Sequence, residues 1–316
     1  MKLTRVVPLE QILKALPDID VVAEIERGFV ALSEGKVEVP PVGELLFPDE
    51  NGELHIKYGA VRGDDVFVVK LATGFFNNPQ LGLPPFSGCM LVFSAKTGQI
   101  VCVLLEDGEL TNHRTAAAGA VVARHLAPPN LLTIGICGSG VQARLQADYL
   151  RRVTECRNLV LWGRDDARAA DAVRDIGRMG YTARVAASPE EVASCAQLIV
   201  TTTASHEPYL LASFVRPGTH ITAMGSDTPE KSELDPMLLR NASMVVADSI
   251  QQCLLRGEIH TAIGAGAIDG DRVVELGNVI SGKVAQRSRA DITVADLTGV
   301  AVQDIMIAKA VVARLI

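Results

Sequence analysis

A glycine-rich turn is the clearest feature of this sequence that could carry chemistry. It reads Gly138-Ser139-Gly140-Val141-Gln142-Ala143, follows the apolar run Leu131–Ile136 and opens a helical segment. In this G-x-G-x-x-A pattern the first glycine permits a tight turn, the second lets a pyrophosphate approach the backbone, and the small third residue allows close helix–strand packing. Free N–H groups at the start of the helix favour an anion. The pattern therefore predicts a dinucleotide site, although a match this short also arises by chance.

The end of the next predicted strand bears on the choice between NAD and NADP. An acid there holds the ribose 2′-OH, whereas an arginine accommodates a 2′-phosphate. The chain reads Trp162-Gly163-Arg164-Asp165-Asp166 at this point. Arg164 favours NADP, but it is equally typical of a solvated surface charge, and the two aspartates leave the choice open.

Two cations stand where a cation is unfavourable. Lys70 interrupts the apolar run Phe67–Leu71, in which an unpaired charge is costly to bury. Arg114 lies at the start of an alanine-rich helix predicted over Thr111–His125, where a cation opposes the helix dipole. A lysine and an arginine together suit a carboxylate, since one supplies a point charge and the other a bidentate fork.

Asp227 and the pair His55 and Lys57 are further candidates. Asp227 follows the predicted strand His220–Met224, at the edge of the sheet where ligands of α/β folds gather. An Asx-turn before Pro229 is an equally ordinary explanation. His55 and Lys57 are two residues apart on one predicted strand, so their side chains lie on the same face and could bind a second anion. A strand face that is simply exposed to solvent explains the two residues about equally well. No residues have the spacing of a metal site.

The elements that must position these residues fall into two groups. A helix is predicted over Asp20–Gly35, and short β-rich runs separated by turns predict an antiparallel sheet or partial barrel. From Leu131 onward strands alternate with helical segments, which indicates a doubly wound parallel sheet. The antiparallel runs are Glu53–Tyr58, Val66–Leu71, Cys89–Ser94 and Ile100–Leu105, and the later strands are Leu131–Ile136, Asn158–Trp162, Thr182–Ala186, Gln197–Thr202, His220–Met224 and Met244–Asp248.

The domain prediction follows from this change of pattern. Pro128-Pro129 marks a boundary, and the helical spacing of Thr298–Ile316 predicts a terminal helix that returns to the first domain. We therefore expect an α/β protein with a Rossmann domain over 128–297. We also expect an α+β domain over 1–127 and 298–316.

Composition narrows the class of partner. With 30 basic and 37 acidic residues, the chain has a formal charge of −7 and no basic block that nucleic acid or an anionic membrane would require. The six cysteines stand far apart, as buried thiols of a reducing compartment do. No apolar stretch has the length of a signal peptide or a membrane span, so a cytoplasmic location and a small-molecule partner are expected.

Several motifs taken together resemble the ornithine cyclodeaminase/μ-crystallin family over nearly the whole chain. They are the Gly138 turn, Lys70-Leu71-Ala72-Thr73-Gly74-Phe75, Leu110-Thr111-Asn112-His113-Arg114-Thr115-Ala116-Ala117 and Met224-Gly225-Ser226-Asp227-Thr228-Pro229. The resemblance implies a dimeric oxidoreductase that uses NAD(H) or NADP(H) on amino acids and imines, and whose α+β domain binds substrate and forms the dimer. It places Lys70 and Arg114 at carboxylate-binding positions and makes Asp227, together with Lys70, catalytic. Cofactor contacts are implied at Thr115, Thr202, Ser226, Val279 and Gly282.

Two departures from the family bear on the substrate. Lys57, with His55 two residues earlier, stands where ornithine-acting relatives carry an acid, and Pro40–Glu44 lacks the arginine that many relatives place there. These residues favour a dicarboxylate such as iminosuccinate, reduced by NAD(P)H to the amino acid in a reversible reaction. The alternatives are an ornithine cyclodeaminase with tightly bound NAD, a reductase of cyclic ketimines such as pyrroline- or piperideine-2-carboxylate, and a non-catalytic μ-crystallin-like binding protein.

Overall fold

The computed structural model describes residues 4–315. They form two compact units, one running to Arg114 and resuming at Val300, the other covering Thr115–Gly299. The sequence analysis placed the first boundary after residue 127. In the structure the change of unit falls earlier, inside a helix. Ile316 of the predicted terminal helix and residues 1–3 of the first predicted domain lie outside the described residues.

The first unit is built on a mostly antiparallel sheet. The strands follow the order β1-β7-β6-β5-β4-β2, with β3 also paired to β4, and only β1 and β7 run parallel. Its elements are β1 (Arg5–Val7), α1 (Leu9–Ala15), α2 (Val21–Ser33), β2 (Val37–Glu38), β3 (Gly43–Phe47), β4 (Gly52–Val61), β5 (Val66–Phe75), β6 (Phe86–Ser94), β7 (Ile100–Leu105) and the first residues of α3 (Glu109–Leu126).

The second unit contains an eight-stranded sheet in which all strand pairs are parallel. Its elements after α3 are β8 (Ile134–Cys137), α4 (Val141–Leu150), β9 (Asn158–Trp162), α5 (Asp166–Arg178), β10 (Thr182–Val185), α6 (Pro189–Cys195), β11 (Leu198–Thr201), β12 (His220–Ala223), α7 (Pro236–Asn241), β13 (Met244–Ala247), α8 (Ile250–Cys253), α9 (Gly257–Gly264), β14 (Val273–Glu275), α10 (Leu276–Ile280) and β15 (Thr293–Asp296). The chain then returns to the first unit in α11 (Ala301–Leu315).

Strand order fixes where a ligand can bind in the second unit. The order is β10-β9-β8-β11-β12-β15-β13-β14, so the chain moves outward from β8 in one direction and then continues from β11 in the other. The two neighbouring strands β8 and β11 thus form a topological switch point, and a crevice opens beyond their carboxyl ends. This confirms the predicted Rossmann-type parallel sheet.

In the first unit α11 covers one face of the sheet. It packs on β4 and β5 and against α2. The two helices approach closely at Gly28, where an added Cβ would lie 2.8 Å from Met306 Cγ. Helix α2 begins with Asp20 accepting the Ala23 N–H at 3.1 Å, and the chain turns at Gly35 with φ +69°. The predicted terminal helix is therefore part of the first unit's core.

Other features of the described residues match or extend the sequence predictions. All six cysteines are unpaired, and Cys89 and Cys195 are only half-buried. No helix within residues 4–315 is long and apolar enough to cross a membrane. The helix α1 and the strands β3, β14 and β15 have no counterpart in the prediction.

Candidate active site

A cleft of ≈ 270 Å³ lies in the second unit at the predicted dinucleotide position. It opens at the carboxyl ends of β8, β9 and β11, which include the switch point. The cleft is lined by Gly138, Ser139, Gly140, Trp162, Gly163, Arg164, Asp165, Arg168, Thr202, Thr203, Ala204, Ser205 and Tyr209. Five residues predicted to bind the cofactor, Gly138, Ser139, Gly140, Arg164 and Thr202, are among them.

Gly138 and Gly140 have the geometry that the fingerprint requires. Gly138 has φ +129°, and a Cβ there would lie 2.2 Å from Thr202 Oγ1, so a larger residue cannot be accommodated. A Cβ at Gly140 would meet no atom within 4 Å, which leaves its backbone open to a ligand. Gly140 is also the N-cap of α4 and has no side-chain cap, so the first N–H groups of the helix suit a phosphate. The cleft therefore fits NAD(P).

An arginine that the sequence analysis missed supports this loop. Arg144 Nη1 donates to the carbonyl oxygens of Ser139 at 2.7 Å and Gly140 at 3.2 Å. Its Nε donates to Asp175 Oδ2 at 2.8 Å. Arg144 thereby fixes the carbonyl side of the turn and leaves the N–H side for the ligand.

The residues after β9 are arranged around a glycine and a helix cap. A Cβ at Gly163 would lie 2.9 Å from Ser139 Oγ and 3.1 Å from Ser139 Cβ, so a side chain at this position would require the Ser139 side chain to move. Asp165 caps α5 by accepting the Arg168 N–H at 2.9 Å. Arg164 is exposed, and within residues 4–315 its guanidinium makes no hydrogen bond or ion pair.

Asp227 lies in the segment that follows β12. Its Oδ1 lies 2.6 Å from Lys231 Nζ, and its carbonyl oxygen accepts a hydrogen bond from Arg256 Nη1 at 3.3 Å. The Asp227 side chain is 47% exposed, whereas Lys231 is 20% exposed. The acid is thus paired with a cation and stays partly open to solvent.

A buried charge cluster occupies the first unit, where α11 covers the sheet. Asp304 Oδ1 accepts from Lys70 Nζ at 3.1 Å and from Arg114 Nε at 3.2 Å, and Arg114 Nη1 donates to Gln303 Oε1 at 2.8 Å. Lys57 lies directly opposite Lys70 in the β4–β5 register and is also buried. We call Lys57, Lys70, Arg114 and Asp304 the cation cluster. It brings together three of the residues predicted to bind substrate.

The pKa values in this cluster follow from burial and neighbouring charge. Burial lowers the pKa of Lys70, against the opposing effect of Asp304. Burial opposes ionisation of Asp304, but the positive charges of Lys70 and Arg114 lower its pKa below the usual value. Because like charges facing each other across strands repel, Lys57 and Lys70 depend on this shared carboxylate.

Glu106 is a second acid that the sequence analysis missed. It is fully buried, and its Oε2 accepts the Leu110 N–H at 2.8 Å and the Thr111 N–H at 3.3 Å, which caps the start of α3. Its Oε1 has no hydrogen-bond partner among the described residues. Burial raises the pKa of Glu106, and the positive charge of Lys70 only partly offsets this.

His55 is placed differently from Lys57. Its Nε2 lies 3.0 Å from Glu44 Oε1 and 3.9 Å from Glu53 Oε2. The strand pairing β3–β4 sets Glu44 directly opposite His55. Two carboxylates therefore already surround the imidazole on which a second anion was predicted to bind.

Other predicted cofactor residues do not line the cleft. The Ser226 hydroxyl is buried and donates to Glu258, and the Thr115 carbonyl oxygen accepts from Gln146 Nε2 at 3.3 Å. Ala143 is buried, and Val141 is 57% exposed. Their contacts with a cofactor stay predictions, as do those of Gln142, Val279 and Gly282. Within residues 4–315 no group of three His, Cys, Asp or Glu side chains could hold a metal ion.

A family model and individual relatives place this chain in the same protein family. Residues 6–316 match the model of the ornithine cyclodeaminase/mu-crystallin family. An uncharacterized cyclodeaminase of Sinorhizobium fredii is 42% identical over 312 residues, which are 97% of this chain and 92% of that protein. The iminosuccinate reductase of Paracoccus denitrificans is 33% identical over 91% of this chain and 89% of its own length.

Solved structures of related enzymes are similar to this chain over nearly its whole length. The structure of the Paracoccus denitrificans iminosuccinate reductase with NAD⁺ has a TM-score of 0.88 and covers 98% of this chain and 96% of that one. An archaeal alanine dehydrogenase dimer with bound NAD has a TM-score of 0.90 at 32% identity, over 98% of this chain and 95% of that one. This chain belongs to the ornithine cyclodeaminase/mu-crystallin family.

Proposed function

We propose that this protein uses NAD(P)H to reduce a small α-imino acid to the amino acid, and that the substrate is a dicarboxylate of the iminosuccinate type. The observation that carries the proposal is the cation cluster, in which Lys70 and Arg114 share the Asp304 carboxylate and the buried Lys57 adds a third positive charge. Buried cations are costly unless anions balance them. A substrate with two carboxylates supplies that balance.

Each residue has a distinct part in the proposed reaction. Lys70 and Arg114 hold the carboxylate next to the C=N bond, with Arg114 as the directional donor. The cleft residues at Gly138–Gly140 would hold the dinucleotide, which when bound would supply a hydride to the imine carbon. Asp227 holds or supplies the proton at the nitrogen, and Lys231 keeps its carboxylate oriented. One hydride and one proton convert the imine into the amine.

Lys57, rather than His55, is assigned to the second carboxylate. The His55 imidazole already faces Glu44 and Glu53, whereas Lys57 lies beside Lys70. Burial raises the pKa of Glu106, which weakens its competition with the substrate for these cations. Asp304 supplies one negative charge against the three cations, so positive charge is left for the substrate. The similarity to the iminosuccinate reductase of Paracoccus denitrificans supports a dicarboxylate as the substrate.

A panel of keto acids with ammonia tests the proposal. Oxaloacetate, pyruvate and glyoxylate, with and without ammonia, and ring imines are each offered with NADH and NADPH. We expect ammonia-dependent loss of reduced cofactor that is fastest with oxaloacetate. Ammonia release from ornithine with cofactor retained would instead indicate a cyclodeaminase, and dinucleotide binding without turnover a binding protein. Either result would contradict the proposal.

Variants of Lys57 test the dicarboxylate assignment. Lys57→Glu should raise KM for oxaloacetate plus ammonia about 10- to 100-fold, as loss of a charge-assisted hydrogen bond predicts. KM for pyruvate plus ammonia should not change. Lys57→Met is the control that removes the charge without introducing an acid, and it should show the same selectivity. Equal effects on both substrates would refute the role of Lys57.

We further infer that NADP(H) is preferred. Asp165 is engaged as the cap of α5, and position 163 is a glycine, which has no carboxylate to hold a ribose 2′-OH. Arg164 is left to meet a 2′-phosphate in the cleft. The NAD-bound relatives make NADH the rival outcome of the assay.

A homodimer is also proposed, with the first unit supplying the interface. The edge strand β3 exposes Leu45, Leu46 and Phe47, at 53%, 56% and 37%. Two further apolar residues of this unit are exposed, Phe86 at 55% and Leu81 at 74%. Exposed apolar surface on an edge strand is normally covered by a partner. Light scattering should give twice the mass of one chain, and Leu46→Lys should lower it.

A further inference from the structure

Two buried glutamates hold the chain segment that carries Asp227. We call residues 226–232 the Asp227 segment. Glu258, at the start of α9, is 1% exposed, and Glu233, which directly follows the segment, is fully buried. Neither residue was noticed in the sequence, and neither touches the substrate in the function proposed above.

Glu258 joins the two ends of the Asp227 segment. Its Oε1 accepts from the Ser226 hydroxyl and from the Glu233 N–H at 2.7 Å. Its Oε2 accepts from Ser232 Oγ at 3.1 Å and from the Leu234 N–H at 3.2 Å. One carboxylate therefore takes four donors, one from the residue before Asp227 and three from the residues that follow Lys231.

Glu233 connects the segment to the cofactor cleft. Its Oε1 accepts from the Thr203 N–H at 2.6 Å, Thr203 Oγ1 at 2.8 Å and the Tyr209 hydroxyl at 2.8 Å. Its Oε2 accepts from Thr201 Oγ1 at 2.7 Å and the Gly225 N–H at 2.9 Å. Thr203 and Tyr209 line the cleft, and Gly225 directly precedes the Asp227 segment.

The close approach at Gly225 shows how tightly this region is built. A Cβ there would lie 2.0 Å from the Thr203 carbonyl oxygen and 2.6 Å from Glu233 Cδ. The ends of β11 and β12 are thus joined through Glu233, with no room for a side chain between them. Such fully satisfied buried networks restrict a segment to one conformation.

We infer that Glu258 and Glu233 are positioning residues, which set the Asp227 segment so that the Asp227 carboxylate meets the substrate nitrogen while the cofactor is held. Glu258 fixes both ends of the segment, and the Asp227–Lys231 ion pair fixes its middle. Catalysis depends on such placement, because a displacement of about 1 Å can cost about 100-fold in rate. The inference rests on the proposed function of Asp227.

Glu258→Gln is the test. The amide can accept at only one atom, so at least two of the four donors lose their acceptor. We expect kcat to fall about 100-fold. KM for the imine should not change, because the substrate carboxylates are assigned to the cation cluster, and the dissociation constant of the reduced dinucleotide should not change, because Glu258 contacts no residue of the cleft lining. Ser226→Ala, which removes one donor, should lower kcat by less.

Asp248→Asn is the matched control for loss of a buried carboxylate in the same unit. Asp248 accepts from Thr298 Oγ1 at 3.1 Å and the Gly299 N–H at 2.8 Å, and both donors lie outside the Asp227 segment. It should lower the unfolding temperature and leave kcat unchanged. If Glu258→Gln behaves like this control, or loses cofactor affinity in parallel with kcat, the inference is wrong.

Hydrogen exchange gives a readout that does not need activity. In Glu258→Gln the peptide that covers the Asp227 segment should exchange faster, whereas the peptide that covers Gly138–Ala143 should not. If the natural protein reduces no imine, the proposed function fails, but this comparison still decides whether Glu258 holds the segment. Unchanged exchange would overturn the inference. If Glu258→Gln does not fold, Ser226→Ala combined with Ser232→Ala provides the same comparison.

Discussion

Asp304→Asn removes the carboxylate that Lys70 and Arg114 share while keeping the size of the side chain. Asp304 is 1% exposed and lies 3.1 Å from Lys70 Nζ and 3.2 Å from Arg114 Nε. At an effective dielectric constant of about 20, each pair at this distance corresponds to about 5 kcal/mol of attraction, much of it offset by desolvation. Removing one partner of a buried ion pair costs about 3–5 kcal/mol, because the remaining charge stays buried.

We therefore expect the free energy of unfolding to fall by about 3–5 kcal/mol in Asp304→Asn. Urea unfolding followed by circular dichroism measures the loss, and hydrogen exchange of β4 and β5 shows whether it arises in the first unit. Fluorescence of the single tryptophan, Trp162, reports on the other unit. Succinate should restore part of the stability, because a dicarboxylate replaces the missing negative charge.

Asp64→Asn is the control. Asp64 pairs with Lys309 of the same helix α11, but the two side chains are 23% and 28% exposed. Partly solvated pairs contribute about 0–1 kcal/mol, so this variant should lose little stability. Equal and small losses in both variants would show that the cation cluster does not depend on Asp304 and would refute the reasoning.

Three further predictions follow from single residues. Gly138→Ala should abolish detectable dinucleotide binding, because its Cβ would lie 2.2 Å from Thr202 Oγ1. Calorimetry measures the binding. Gly177→Ala is the control and should still bind the dinucleotide, because a Cβ at Gly177 meets no atom within 4 Å. Arg164→Ala should raise the dissociation constant of NADPH about 10- to 100-fold and leave that of NADH unchanged; an equal loss for both would contradict a 2′-phosphate contact. Burial lowers the pKa of His220 to about 3, so the unfolded chain binds the extra proton between about pH 6.5 and 3, and stability is lost as the pH falls through that window. Between pH 7.5 and 5 the loss is about 2 kcal/mol, and His220→Gln should remove it from the urea-unfolding difference.

Local patterns predicted those elements whose signals lie within one short stretch. The strands β7 and β9 begin and end at the predicted residues, and α2 begins after its Asp20 cap, because alternation, helical spacing and capping are properties of neighbouring residues. Strand β15 was missed although it lies between β12 and β13 in the sheet. It is four residues long, and its pairing with distant strands leaves no local signal.

Among the site residues, too, those with a signal in the local sequence were predicted and those without one were missed. The turn at Gly138 could be predicted because one run of residues supplies the strand end, the glycines and the helix start. The unfavourable placing of Lys70 and Arg114 was visible too, since each conflicts with its own neighbours in sequence. Asp304 was not, because it lies 234 residues from Lys70 and 190 from Arg114, and its neighbours in sequence give no sign of these partners.

The sequence alone determined the chemistry available to this protein: a phosphate-binding turn, cations for a carboxylate and an acid after a strand. Only the tertiary structure decided how these groups are held, by Asp304 beneath the cations, Arg144 behind the turn and Glu233 and Glu258 around the Asp227 segment. The physical reason is that a buried charge needs its partner in space rather than in sequence. The free energy that specifies such a partner arises only when the chain has folded.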